Sequence, residues 1–182
     1  MNMTPRNVIL LVLAVVVGMV AGLAFPLLGL VLLLPLMGYV IYILAANKGA
    51  TEADPAAAEA ARQFTAGPGK AAIYVMRKGF MGGQQGMNVV IDGGLKSQFR
   101  TGRFVKAEVD PGSHTVYARM NAQTEGTAVN HGLTLAEGEC VLLDAKLEVG
   151  ALQGKLVFLE TRDPGEARGK LAGLKLVDWQ AQ

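Results

Sequence analysis

The chain has 182 residues, 51% of them hydrophobic, with 17 basic and 15 acidic side chains and a formal net charge of +2. The acidic residues and all but two of the basic ones lie beyond position 50, so that part is close to neutral. A nucleic-acid binder needs a large basic excess and is excluded. A single cysteine, Cys140, excludes an internal disulfide and a lipid anchor on an N-terminal cysteine, and fits a reducing compartment.

From Asn7 to Asn47 there is no charged residue. A bilayer core of about 30 Å takes roughly 20 apolar residues in a helix. The run is nearly twice that, so it predicts a membrane anchor over residues 1–47 with two transmembrane helices, 8–25 and 26–46, broken at Pro26. Proline suits a helix start, where its missing N–H would be unpaired anyway. Pro35 falls inside the second helix, and Tyr39 and Tyr42 lie toward its far end, where amphipathic rings favour the headgroup level. The alternative for the first segment is a secretory signal with a small-x-small site at Gly22-Leu23-Ala24. Arg6 before the spans and Lys48 and Arg62 after them place both termini in the cytoplasm by the positive-inside rule. Gly18 and Gly22 form a GxxxG step, a route to homo-oligomers through the membrane helices or simply packing within the hairpin.

Residues 48–69 are Ala-rich and polar and end in Gly-Pro-Gly. Asp54 as N-cap and Pro55 at the first helical position predict a short helix to about Phe64, serving as a spacer. From residue 70 to 182 the pattern changes to short strands split by turns. Strands are expected at Ala71–Arg77, Asn88–Asp92, Phe104–Val109, His114–Met120, Ala128–Leu135, Cys140–Val149 and Leu156–Glu160, with turns at Gly93-Gly94, Asp110-Pro111-Gly112 and Glu137-Gly138. Turn signals about every ten residues indicate a mostly β fold, an antiparallel β-sandwich. A short helix from Pro164 follows, with Leu171, Leu174 and Val177 expected to cover one open end of the sandwich.

The order Gly69-Lys70-Ala71-Ala72-Ile73-Tyr74-Val75, Val90-Ile91-Asp92-Gly93, Val109-Asp110-Pro111-Gly112-Ser113-His114-Thr115-Val116, Glu137-Gly138-Glu139 and Gly169-Lys170-Leu171 resembles the DUF2846 family. These are small bacterial β-sandwich domains often carried on lipoproteins or membrane anchors. The turn around Asp110 is also similar to that of PEGA domains, which share a transthyretin-like or carboxypeptidase-regulatory-like sandwich. The resemblance covers about Lys70 to Val177, and its motifs are structural turns. It implies a fold and a location at a bacterial inner membrane, and it brings no catalytic residues.

Candidate chemistry is sparse. Gly79 to Met87 is glycine-rich, but it lacks the Gly-Lys-Ser/Thr ending of a phosphate loop and no helix follows it. It reads as a strand connection, in which Phe80, Met81, Gly82 and Gly83 form an interaction loop for a partner. His114 and His131, the two histidines, have no ligand spacing around them, so no metal is expected. His114 is expected to bond backbone or pack at its strand start, with Asp110, Pro111 and Gly112 as a structural turn. Neither Ser97 nor Ser113 lies in a nucleophile elbow, and Cys140 opens an apolar strand, so no enzyme and no cofactor are expected. Asp144 and Lys146 alternate with apolar neighbours and read as a solvated face. Lys96, Arg100, Arg103 and Lys106 form the one basic cluster, read either as contacts to anionic headgroups or as a solvated hairpin. The reading is a membrane-anchored, non-enzymatic binding or scaffolding domain whose partners are the lipid bilayer and a protein or an anionic lipid surface. The alternative is a glycan- or envelope-component-binding module exposed outside the cytoplasm.

Overall fold

A computed structural model describes residues 13, 16–20, 22–46, 50–79, 85–121, 128–149 and 154–180. The chain divides into two compact units, Met1–Ala45 and Ala46–Gln182.

In the first unit a continuous helix, α1, runs over Pro26–Ala46 with Pro35 inside it. Its described side chains, including Leu27, Val31, Leu34, Met37 and Ile41, are exposed apolar groups. Of the helix expected over 8–25, residues 13, 16–20 and 22–25 are described, helical except for Phe25, which separates residues 22–24 from α1. The two-helix hairpin is therefore not shown. Over the described residues, no helix is long and apolar enough to cross a membrane.

The second unit is a two-sheet β-sandwich with helices against one outer face. Its described strands are β1 (Ala71–Arg77), β2 (Met87–Ile91), β3 (Leu95–Phe99), β4 (Arg103–Val109), β5 (Gly112–Met120), β6 (Val129–Leu135), β7 (Cys140–Val149), β8 (Gly154–Thr161) and β9 (Lys175–Leu176). One sheet has the order β8-β7-β1-β4-β9 and the other β3-β2-β5-β6. Two pairings, β1 with β7 and β4 with β9, are parallel, so the expectation of a purely antiparallel sandwich is corrected to a mixed one. The sequence reading also missed β3, whose Lys96-Ser97-Gln98 centre has no apolar period. Pairing with β2 in the register Val89↔Ser97 makes it a strand.

β1 shows why the five-stranded sheet is central. It is buried along its whole length. Ala71, Ile73 and Val75 face the inter-sheet core with Val105, Val116, Val141 and Leu143. Ala72, Tyr74 and Met76 face outward into a second cluster with Phe104, Leu142, Leu171 and Leu174. A near-continuous apolar run is what a strand covered on both faces requires.

The outer cover comes from two short helices. α2 (Pro55–Arg62) starts as expected, with Asp54 accepting from the Ala56 N–H. It is not a free spacer: Ala58, Ala61 and the following Phe64 are buried, and Phe64 packs on Tyr74 with ring centroids 4.8 Å apart. Phe64 has φ +56°, a conformation a bulky residue rarely adopts, and the ring's burial outweighs that strain. α3 (Pro164–Leu171) is capped by Asp163, and its Ala167 and Leu171 join the same cluster. Leu171 and Leu174 thus lie on the outer face of a sheet rather than across an open end, while Val177 belongs to the inter-sheet core.

The segment before α2 and the segment after β9 are knitted together. The Ala53 N–H donates to the Leu176 carbonyl, and the Asp178 N–H to the Thr51 carbonyl, each at 3.0 Å. The tail then closes the gap between β3 and β4. Trp179 packs against the core and donates from Nε1 to the Lys106 carbonyl at 2.7 Å, and the Gln180 N–H donates to the Lys96 carbonyl at 2.8 Å.

Candidate functional site

Polar side chains converge most tightly at the end of the sandwich that carries the β2–β3 and β4–β5 turns. The first turn is built on Asp92-Gly93, both at positive φ (49° and 71°), and the Gly94 N–H returns to the Ile91 carbonyl at 3.1 Å. Positive φ at both central positions gives the turn a twist matched to that of a hairpin, here within a three-residue connection because Ile91 pairs with Leu95. Asp92 accepts from the Thr115 N–H through Oδ1 at 2.8 Å, while its Oδ2 lies 2.7 Å from Nδ1 of His114. Nε2 of His114 lies 2.7 Å from the Asp110 carbonyl, and the Asp110 carboxylate pairs with Lys70 at 2.6 Å. His114 thus bonds backbone at its strand start, as expected, and also a carboxylate on the neighbouring turn, which sequence spacing did not show.

The electrostatics follow the contacts. Burial alone would lower the His114 pKa, but the bonds to Asp92 and to the Asp110 carbonyl, with the two carboxylate charges, hold it above its ordinary value. Burial would likewise raise Asp92, yet the Thr115 N–H and His114 bring it below the usual carboxylate range.

A second polar chain joins the two sheets along another side. His131 on β6 meets Glu160 on β8 at 2.9 Å, and Glu160 meets Arg162 at 2.6 Å. Arg162 also pairs with Glu139, in the turn before β7. The His131 ring lies edge-on to Phe158, with centroids 6.0 Å apart. Arg162 thus lies between the carboxylates of Glu160 and Glu139, as in a structural brace.

The basic residues of the sequence reading do not share one surface. Lys96 is exposed on β3, in the four-stranded sheet, with Arg100 in the connection beyond it. Arg103 pairs with Glu52 at 3.2 Å. Lys106 lies on the outer face of the other sheet, 2.8 Å from Glu108 and over the Tyr74 ring. Phe80, Met81, Gly82 and Gly83 lie outside the described residues.

Two further charged groups are buried, and for Asp144 this corrects the reading of a solvated face. Asp144 is 5% exposed rather than solvated; its Oδ1 has no hydrogen-bond partner, and burial holds its carboxyl above the ordinary range. Arg77 is 3% exposed, with its pKa lowered to about 10 by burial, and donates to the Gln85 carbonyl at 2.6 Å. Cys140 is buried, as its strand position suggested, and burial raises its thiol pKa. A raised, covered thiol is a poor nucleophile. Among the described residues, no group of three or more His, Cys, Asp or Glu side chains is arranged to hold a metal ion.

No protein-family model matches the chain, and no curated protein matches it.

Proposed function

We propose that the chain is a membrane-anchored binding or scaffolding protein, in which the apolar first unit sits in a bilayer and the β-sandwich presents a surface to a protein partner. One observation carries the reading: the distribution of exposed apolar side chains. Among the described residues sixteen large hydrophobic side chains are exposed; fifteen of them lie between Leu13 and Tyr42, and one, Leu159, lies in the sandwich. An apolar surface of that extent is not left in water. The helix Pro26–Ala46 has 21 residues and no charged side chain. At about 1.5 Å per residue that is roughly 31 Å, the thickness of a hydrocarbon core. Length and apolarity define a span, and the sequence of this helix has both. A helix apolar all round, with no polar stripe, belongs in a bilayer or a large core.

The non-enzymatic part of the reading rests on the polar groups of the sandwich. His114, His131, Asp92, Asp110, Glu139 and Glu160 are engaged in braces between strands and turns. The strand and turn order that resembles the DUF2846 family accords with a binding module at a bacterial inner membrane.

The test uses the full chain in cells. Carbonate or urea washing of membranes should leave it in the pellet, and only detergent should release it. Release without detergent would overturn the anchor. Sidedness is read with Cys140→Ser and Thr51→Cys, the Thr51 side chain being exposed while its carbonyl makes the bond to Asp178. A membrane-impermeant maleimide should label it only after lysis, placing the sandwich in the cytoplasm. Labelling of intact cells would place it outside and favour envelope glycans as the ligand class.

A further inference from the structure

We propose that His114 is held as an imidazolium at neutral pH and acts as a pH-sensitive clasp between the β2–β3 and β4–β5 turns. The geometry carries this. A carbonyl oxygen has no proton to give, so the 2.7 Å contact between Nε2 and the Asp110 carbonyl requires a proton on Nε2. The 2.7 Å contact between Nδ1 and Asp92 requires one proton between them, on the ring or on the carboxyl. Imidazole is the stronger base by more than two pKa units in ordinary surroundings, about 6.5 against 3.9. The Thr115 N–H donating to the other Asp92 oxygen favours the ionised carboxylate further. Both ring nitrogens therefore carry protons.

The charged groups around the ring agree. Asp92 faces it from the β2–β3 turn and Asp110 from the β4–β5 turn, with Lys70, before β1, bound to the Asp110 carboxylate. β6 places the uncharged Leu133 opposite His114. Two carboxylates and one already paired lysine favour a cation at this point.

The pH dependence follows from the raised folded-state value. The clasp contributes its full stability below the ordinary histidine pKa, about 6.5. That contribution is lost as pH rises through the folded-state value. When the proton leaves, one of the two bonds must break, because a neutral ring has a single donor. The Thr115 amide, held by Asp92, and the Asp92 amide, held by the Thr115 carbonyl at 3.0 Å, are the reporters.

The experiment is a nitrogen-15 NMR titration of the full chain in detergent micelles. His131→Gln identifies which of the two imidazoles is His114. The expected result at pH 7 is both His114 ring nitrogens in the protonated shift range. The Thr115 and Asp92 amides should exchange faster with solvent above the His114 titration, beyond the intrinsic rise with pH. In Asp92→Asn the titration should move to lower pH. Asparagine tolerates positive φ and keeps an acceptor for the Thr115 N–H, so this variant retains the turn. A His114 ring neutral at pH 7, or a titration unmoved by Asp92→Asn, would overturn the proposal. The first of these needs no substitution at His114 or Asp92, so it stands even if Asp92→Asn fails to fold.

Discussion

Asp144 sits with one carboxylate oxygen buried and unpartnered, and its nearest cation, Lys146, stands at 3.8 Å. A carboxyl raised above its ordinary pKa of 3.8 binds its proton more readily in the folded state than in the unfolded chain. Its contribution is therefore most favourable below that value and is lost as pH rises through the folded-state value. Asp144→Asn should raise stability at pH 7 by on the order of 1 kcal/mol, through removal of the buried charge. The gain should shrink as pH falls through the carboxylate range, read by denaturant unfolding at a series of pH values. An unchanged gain at low pH would show that charge is not the cause. The sequence concealed this residue, because an Asp alternating with Leu143 and Ala145 looks like a solvated strand face. Burial of that face depends on which distant segments cover the sheet. His114 was half legible. Its local bond to the Asp110 carbonyl is four residues away, while the Asp92 carboxylate is brought in by a separate hairpin.

At the scale of the element, the helix after Asp54 and the one after Asp163 were readable, because capping and proline placement are local signals. Their docking was not. An alanine-rich helix has little apolar bulk to announce a buried face, and the anchor is Phe64, beyond the helix end. Phe64→Ala should cost about 3 kcal/mol of domain stability, the usual range for a large aromatic removed from a core. The relief of its positive φ will not offset that, since alanine meets the same backbone strain. A loss under about 1 kcal/mol, measured by denaturant midpoint, would mean that α2 is not part of the cooperative unit. The tail is the second hidden element. Trp179→Ala removes a core contact and the indole bond to the Lys106 carbonyl, and about 2 kcal/mol should go with it. Amide exchange should quicken in β3, whose Lys96 carbonyl and Ser97 hydroxyl bond the same tail.

For the molecule as a whole, alternation and turn chemistry revealed a sandwich, but strand order lies beyond periodicity. β1 pairs in parallel with β7 although 62 residues, 78–139, separate the two strands, so no local signal exists for it. The same limit applies to Glu52, which bridges Arg103 and Lys175 from outside the expected domain and is held below the usual carboxylate range, first of all by Lys175. The place where the chain enters and leaves the sandwich has a mechanical consequence. Thr51 and Ala53 run antiparallel beside Leu176 and Asp178, so both ends of the domain emerge at one end of a short ladder. Tension applied between those ends would first load the Gln180 and Trp179 bonds to Lys96 and Lys106, then the bond at Thr51 and after it the one at Ala53, peeling this edge bond by bond rather than shearing the sheet. The domain should therefore yield at low force from this edge, and a cargo fused after Gln180 would be tethered beside the point where the chain comes in.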